Sequence, residues 1–397
     1  MQHVILYDLK DTFYNLLPIT FTRPISLIRI GITTLREKWE ALLPGNYCIE
    51  TIDFMSELFE CDVMEDDGTL HVMSSVIPTA EMAEAIKGLK AGERLSDKDG
   101  APIAYRGHCD DGTETAESFI NKVYPGECRR LNYVYDIFLQ NAYALKEDFR
   151  RLTAGRDSLA PFDNNLILGD IVDADGLPQI FLEEGALVEG ATINLREGPV
   201  YVGKDAKILE GSNVRGGLAL CERAQVRMGA KVYGATTLGP FCKAGGELSN
   251  VVMLGYSNKA HDGYLGNAVI GEWCNIGAGV NASNLKNDYS KIRIWNYREK
   301  RFIRTDLQFC GLIMGDHSKA GVNCMFNTAT VVGVGVNVYG SGFPRVILNS
   351  FHEGSASSGF DSVPLKKFFE IADRVMSRRG RSISEKERRI YEYIYTH

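Results

Sequence analysis

The chain reads as three successive parts: an α/β domain over residues 1–160, a solenoid of short parallel strands over 165–345 and a helical tail over 360–397. Three observations carry this reading. Apolar runs of strand and helix type alternate before residue 160. A repeat with a period of 18 residues follows, in the part that holds most of the chain's 40 glycines. Two amphipathic stretches close the sequence.

In the first part, His3 to Leu6 is expected as a buried strand. Leu16 to Pro24 is an apolar turn segment, and Arg29 to Trp39 is expected as an amphipathic helix. Residues 69–72 and 103–105 read as strands, and 81–89 and 139–152 as helices. This alternation predicts a largely parallel sheet, with ligands at the carboxyl ends of its strands. Arg23, Arg29, Arg36 and Lys38 lie close to the first strand. Arg23 and Lys38 are the candidates for holding nucleotide phosphates, against the simpler reading of a solvated helix face. Asp8, Asp136 and Asn141 are possible Mg²⁺ ligands, though spacing alone leaves the metal set unassigned.

In the second part, Val202-Gly203, Leu220 and Leu238-Gly239 recur at 18-residue steps, as do Met314-Gly315 and Val332-Gly333. Three hexapeptides per coil give a triangular solenoid. Branched residues stack inside it, and glycine and small residues make the corners. The third part, Pro364 to Tyr395, reads as two helices separated near Gly380, with an apolar stripe at Leu365, Phe368, Phe369, Ala372 and Val375.

Composition narrows the function. A net charge of −7 argues against broad binding to nucleic acid or membrane surfaces. No run is long and apolar enough to span a bilayer. The nine cysteines form no CxxC pair and no zinc spacing. An odd count without a framework suits a reducing compartment, so the cytoplasm is expected.

The hexapeptide pattern resembles the left-handed β-helix of the hexapeptide-repeat acyltransferases, and the hand comes from that resemblance alone. Set behind an α/β domain, it is similar to the bifunctional sugar-1-phosphate nucleotidyltransferase and acetyltransferase family that makes UDP-N-acetylglucosamine. The matching segment is His261, Tyr264-Leu265-Gly266, Asn275-Ile276-Gly277-Ala278-Gly279 and Asn284. Lys291 to Ile294 and Gly315-Asp316-His317 look like the family's archaeal branch, in which a charged hairpin interrupts the β-helix. The fold class implied is an α/β nucleotidyltransferase-like domain, a left-handed parallel β-helix and a short helical tail.

The resemblance implies N-acetylation of glucosamine-1-phosphate by acetyl-CoA and uridylyl transfer from UTP with Mg²⁺, in a homotrimer whose sites form between subunits. His261 would be the general base, with His317 as second choice. Asn284 would position the amine or hold the oxyanion. Tyr264 and Asn275 would bind the sugar, with Lys243 and Lys259 nearest the phosphate and Lys291 a further substrate contact. Gly277, Ala278 and Gly279 would form a smooth wall for the coenzyme. Arg378, Arg379 and Arg381 in the tail read as a solvated face, with contact to coenzyme phosphates across a subunit interface as the alternative.

Two departures stand out. The front part lacks the family's glycine-rich GxGxR loop, and no acidic residue occupies the usual place to orient the histidine. Two further readings therefore stay open: an acetyltransferase with a degenerate front domain, and a non-catalytic trimeric scaffold.

Overall fold

A computed structural model describes residues 2–59, 61, 66–107, 119–161, 163–174 and 176–397. The chain divides into two compact units. The first holds residues 1–16, 23–28 and 33–133, and the second holds 17–22, 29–32 and 134–397.

The first unit is built on a six-stranded sheet with the order Asn46–Glu50, His3–Tyr7, Leu70–Met73, Pro102–Arg106, Glu93–Ser96, Ile120–Val123. Val4, Ile5 and Leu6 are all buried, the continuous apolar run of a strand covered on both faces. The sheet is mixed where the sequence predicted a largely parallel one. His3–Tyr7 runs parallel to both neighbours, but Pro102–Arg106 is antiparallel to both of its own. The segment linking 93–96 to 102–106 is too short for a helical crossover, so these two strands pair as a hairpin.

The helix expected over residues 29–39 starts later and spans Leu35–Leu42. Gly31, at φ +70°, breaks the helical pattern. Thr34 then caps the helix in a reciprocal capping box with Glu37. Trp39 is fully buried and donates from Nε1 to the Val76 carbonyl at 3.2 Å. Cys48 and Cys61 form a disulfide with their Cα atoms 5.2 Å apart, which the scattered cysteine pattern did not foretell. Cys109 lies outside the described residues.

The second unit is a parallel β-helix with three strand faces. The first face stacks Ile180–Leu182, Val200–Val202, Leu218–Leu220 and Thr236–Leu238 in register, then continues through 252–253, 269–270, 313–314, 331–332 and 347–348. The second face stacks 187–188, 207–208, 225–226, 243–244, 258–259, 275–276, 319–320 and 337–338. The third stacks 166–168, 192–194, 213–215, 231–233, 247–249, 264–266, 281–282 and 325–326. An antiparallel hairpin, Arg293–Asn296 with Arg301–Arg304, is inserted between the coils that pair Val269 with Ile313.

Inward-facing columns form the core, such as Val202, Leu220, Leu238, Met253, Ile270, Met314 and Val332. Each fully buried large side chain in such a column contributes roughly 1.5–3 kcal/mol relative to exposure.

One corner repeats a left-handed backbone at Asp205, Arg223, Phe241, Tyr256, Trp273 and His317, with φ between 55° and 61°. For bulky residues this costs about 1–2 kcal/mol each. The rings at that corner offset part of the cost by stacking. Phe241 lies on Tyr256 at 5.3 Å, Tyr256 on Trp273 at 4.2 Å, and Trp273 on His317 at 6.2 Å. The two tail helices, Leu365–Ser377 and Glu385–Thr396, cover this corner. Phe368 and Tyr391 meet the His317 ring edge-on, and Arg381 lies over Tyr256 at 4.8 Å.

Candidate functional site

The β-helix brings two of the sequence-predicted residues into direct contact. Tyr264 opens the strand Tyr264–Glu272 on the third face, and Asn284 follows the strand Asn281–Ala282 one coil on. Asn284 donates from Nδ2 to the Tyr264 hydroxyl at 2.9 Å and to Asn267 Oδ1 at 2.8 Å. Asn281 Oδ1 accepts from the Tyr264 backbone N–H at 2.9 Å, which fixes the start of the strand. Gly266 explains the Tyr-Leu-Gly spacing. A Cβ there would lie 2.2 Å from the Tyr264 hydroxyl and 2.8 Å from Asn284 Nδ2. Burial holds the Tyr264 phenol above its usual range against the Asn284 bond, with the Glu247 carboxylate adding to the rise. The phenol therefore keeps its proton and has an O–H to donate.

His261 lies exposed in the bend that precedes Tyr264 in the same coil. Lys259 lies beneath it. The sequence reading put Lys259 near phosphate, but its side chain turns inward. It fills the interior column between Ala244 and Ile276, where its neighbour Ala244 is small, and it is fully buried. Its ammonium donates to the His261 carbonyl. Burial pulls its pKa from 10.5 down to about 8, with Asp262 opposing. Between those values the unfolded chain binds a proton that the folded chain does not, so stability rises as pH climbs from about 8 to 10.5. A Lys259→Met protein is expected to lose that rise, read from melting temperatures across the interval.

The remaining candidates fall elsewhere. Asn275 and Lys243 share a row on the second face, separated from Tyr264 by the corner Gly277-Ala278-Gly279. Small residues are needed at this corner. A Cβ on Gly277 would approach the Ala320 carbonyl oxygen to 2.9 Å, and Gly279 has φ +70°. Lys243 lines an open groove of about 460 Å³ with Lys207, Arg223 and Arg379. Burial lowers the Lys243 pKa, and repulsion from Arg379, Arg227 and Arg378 lowers it further. Such a groove favours anions. Lys207 and Arg223 were missed from sequence, although each is in register with a residue one or two coils on.

Lys291, in the insert, bonds the Asp306 carbonyl at 2.6 Å. His317 is 2% exposed within the aromatic corner and is a packing residue, not an accessible base. Asn267 was also missed. Its 17-residue spacing to Asn284 was the available signal.

In the first unit, Asp8 follows the first strand at its carboxyl end. Its Oδ2 accepts from Thr51 Oγ1 at 2.7 Å and from the Ile25 N–H at 3.2 Å, while among the described residues its buried Oδ1 has no hydrogen-bond partner. Burial raises this carboxyl from 3.8 to about 6, and Glu50 adds to the rise against the bonds from Thr51 and Ile25. Lys38 is buried and donates to the Thr33 carbonyl at 2.9 Å and hydroxyl at 3.0 Å. Its ammonium is thus engaged within the fold. Arg23 is likewise buried, at 6% exposure. In the second unit, Asn141 is spent on structure. Its Oδ1 accepts from Gly31 N–H at 2.7 Å, and its Nδ2 donates to the Ala235 carbonyl at 2.8 Å. Among the described residues no three His, Cys, Asp or Glu side chains converge as a metal cage, and no helix is long and apolar enough to cross a membrane.

Residues 4–157 match the family of sugar nucleotidyl transferases. A stretch of 87 residues is 30% identical to the bifunctional protein GlmU of Methanocaldococcus jannaschii. It covers 22% of this chain and 21% of that protein, so the chain spans about a fifth of the curated relative it matches.

Proposed function

Residues 4–157 match the family of sugar nucleotidyl transferases, and from that premise we propose a two-step enzyme of UDP-N-acetylglucosamine formation. The β-helix acetylates the amine of glucosamine-1-phosphate with acetyl-CoA, and the front domain transfers uridylyl from UTP. The observation that carries the reading is the Tyr264–Asn284 hydrogen bond closed over Gly266, with His261 in the same coil.

In this reading His261 takes a proton from the amine as its nitrogen attacks the thioester carbonyl. The carbon–sulfur bond breaks, and the coenzyme leaves as its thiol once the thiolate is protonated. Both Asn284 Nδ2 hydrogens are committed to Tyr264 and Asn267, so its free atom is an oxygen that accepts from the amine. The oxyanion is then left to the Tyr264 O–H or to backbone N–H groups.

The candidates divide between the second and third faces of one chain. A homotrimer, with one copy's second face against another's third, would reunite them. It would also place the groove of Lys207, Arg223, Lys243 and Arg379 beside the coenzyme phosphates. Light scattering is expected to give about three times the chain mass of 44.1 kDa.

Asp8 fits a Mg²⁺ ligand. This ion is commonly held by one or two carboxylates together with substrate phosphates, and Asp8 Oδ1 is buried without a partner among the described residues. The ion would neutralise phosphate charge during uridylyl transfer. Asp8 must be ionised for this role, so Mg²⁺-dependent UTP binding is expected to weaken as pH falls through about 6.

A second reading, acetyl transfer alone, is favoured by one observation. The helix Lys10–Asn15 follows the first strand where the family has its glycine-rich loop. Purified protein incubated with glucosamine-1-phosphate, acetyl-CoA, UTP and Mg²⁺, with products read by mass spectrometry, separates the readings. UDP-N-acetylglucosamine supports the full pathway, N-acetylglucosamine-1-phosphate alone supports the second reading, and neither product refutes both. A Gly266→Ala variant should stay folded, since the added methyl meets only side-chain ends. It should acetylate at least ~10-fold more slowly because Tyr264 and Asn284 are forced apart.

A further inference from the structure

Three asparagines, Asn250, Asn267 and Asn284, stand one coil apart at successive 17-residue steps. Their amides form a directed chain. The Asn250 amide meets the Ala235 and Phe138 carbonyls at 3.2 and 3.1 Å, which can only accept, so its Nδ2 is assigned to them and its oxygen then accepts from Asn267 Nδ2 at 3.1 Å. Asn267 Oδ1 in turn accepts from Asn284 Nδ2 at 2.8 Å. Backbone carbonyls only accept, so the two at the foot of the chain fix the direction of every amide above them. Reversing any one amide would set oxygen against oxygen. Among the described residues Asn284 Oδ1 meets no donor, and the chain leaves it as the open end.

We propose that Asn267, itself held by Asn250, is a positioning residue that locks the Asn284 amide with its oxygen, not its nitrogen, toward the substrate. The site then selects a ligand that presents a hydrogen-bond donor at this point, an amine or a hydroxyl, and disfavours one that presents only acceptors. This rests on the acetyl-transfer reading for its substrate, but the orientation itself stands on the hydrogen bonds. The backbone suits the role. Asn250 and Asn267 have φ of 54° and 45°, a region that asparagine, aspartate and glycine enter more readily than other residues.

Two variants of the full chain test the proposal. Asn267→Gly removes the amide without straining the left-handed backbone. Asn267→Asp keeps an acceptor for Asn284 in the same conformation, and it is read at a pH low enough for its second carboxyl oxygen to carry a proton for Asn250 Oδ1. Acetyl-transfer kinetics and crystal structures are read for both, with melting temperature as the control for folding. The glycine variant is expected to lose at least ~10-fold in kcat/KM for the amine, as for a misplaced substrate contact, and the aspartate variant to stay within ~3-fold of the parent. In the crystal, Asn284 should turn away from Tyr264 in the glycine variant and keep its bond in the aspartate variant. Parental kinetics with an unmoved Asn284 in Asn267→Gly would overturn the proposal, as would equal losses in both variants. If the parent acetylates no amine, the acetyl-transfer reading fails, and the ladder is then judged by the Asn284 orientation in the two crystals.

Discussion

Replacing His261 by Ala is expected to slow acetyl transfer at least ~100-fold, the usual scale for loss of a positioned general base. A sugar amine is partly protonated near neutral pH, and its attack on a thioester releases a further proton. His261 is the histidine in the matching segment, and its exposed bend precedes the Tyr264 strand. The alternative, His317, is packed in the aromatic corner at 2% exposure. Folding should survive, because the His261 ring belongs to no core column. The contact that anchors the loop is made by the backbone carbonyl of His261 with Lys259, and an alanine keeps that carbonyl. Trimer formation, coenzyme A binding and uridylyl transfer should therefore be unchanged. Near-parental acetylation by the variant would remove His261 from the mechanism.

Asp8→Asn should separate stability from activity in opposite directions. The carboxyl is raised to about 6 in the fold from an ordinary 3.8. Between these values the folded chain binds more protons than the unfolded one, so stability falls as pH rises through that window, and above 6 the full cost of the buried charge is present. A neutral amide of the same shape escapes that cost, and the variant should melt at an equal or higher temperature at pH 7. If the charge holds Mg²⁺ and the nucleotide phosphates, uridylyl transfer should drop at least ~100-fold, comparable with losing a strong electrostatic contact to the reacting group. Acetyl transfer should not change. A variant that melts lower and still transfers uridylyl would show that Asp8 is structural.

The sequence by itself determined the solenoid, because its stabilising contacts recur. A residue stacks on its equivalent about 18 positions away, so the linear period reports the register directly, as at Val202, Leu220 and Leu238. The structure sets Tyr264 and Asn284 on neighbouring coils of one face and Gly277 and Gly279 at a corner, where the resemblance had implied a shared site and a smooth wall. Tertiary structure alone decided which way individual polar side chains turn. Lys259 looks like a surface lysine in sequence, yet its column runs inward between Ala244 and Ile276. Lys38 lies in an amphipathic helix, yet its ammonium is engaged by Thr33. The mixed order of the front sheet depends on which strands meet, and apolar runs do not encode their partners. The Asn284 amide takes its direction, through Asn267 and Asn250, from carbonyls at Ala235 and Phe138 that lie far from it in sequence. Such orientations follow from hydrogen-bond satisfaction summed over distant segments, and no local pattern of residues carries that information.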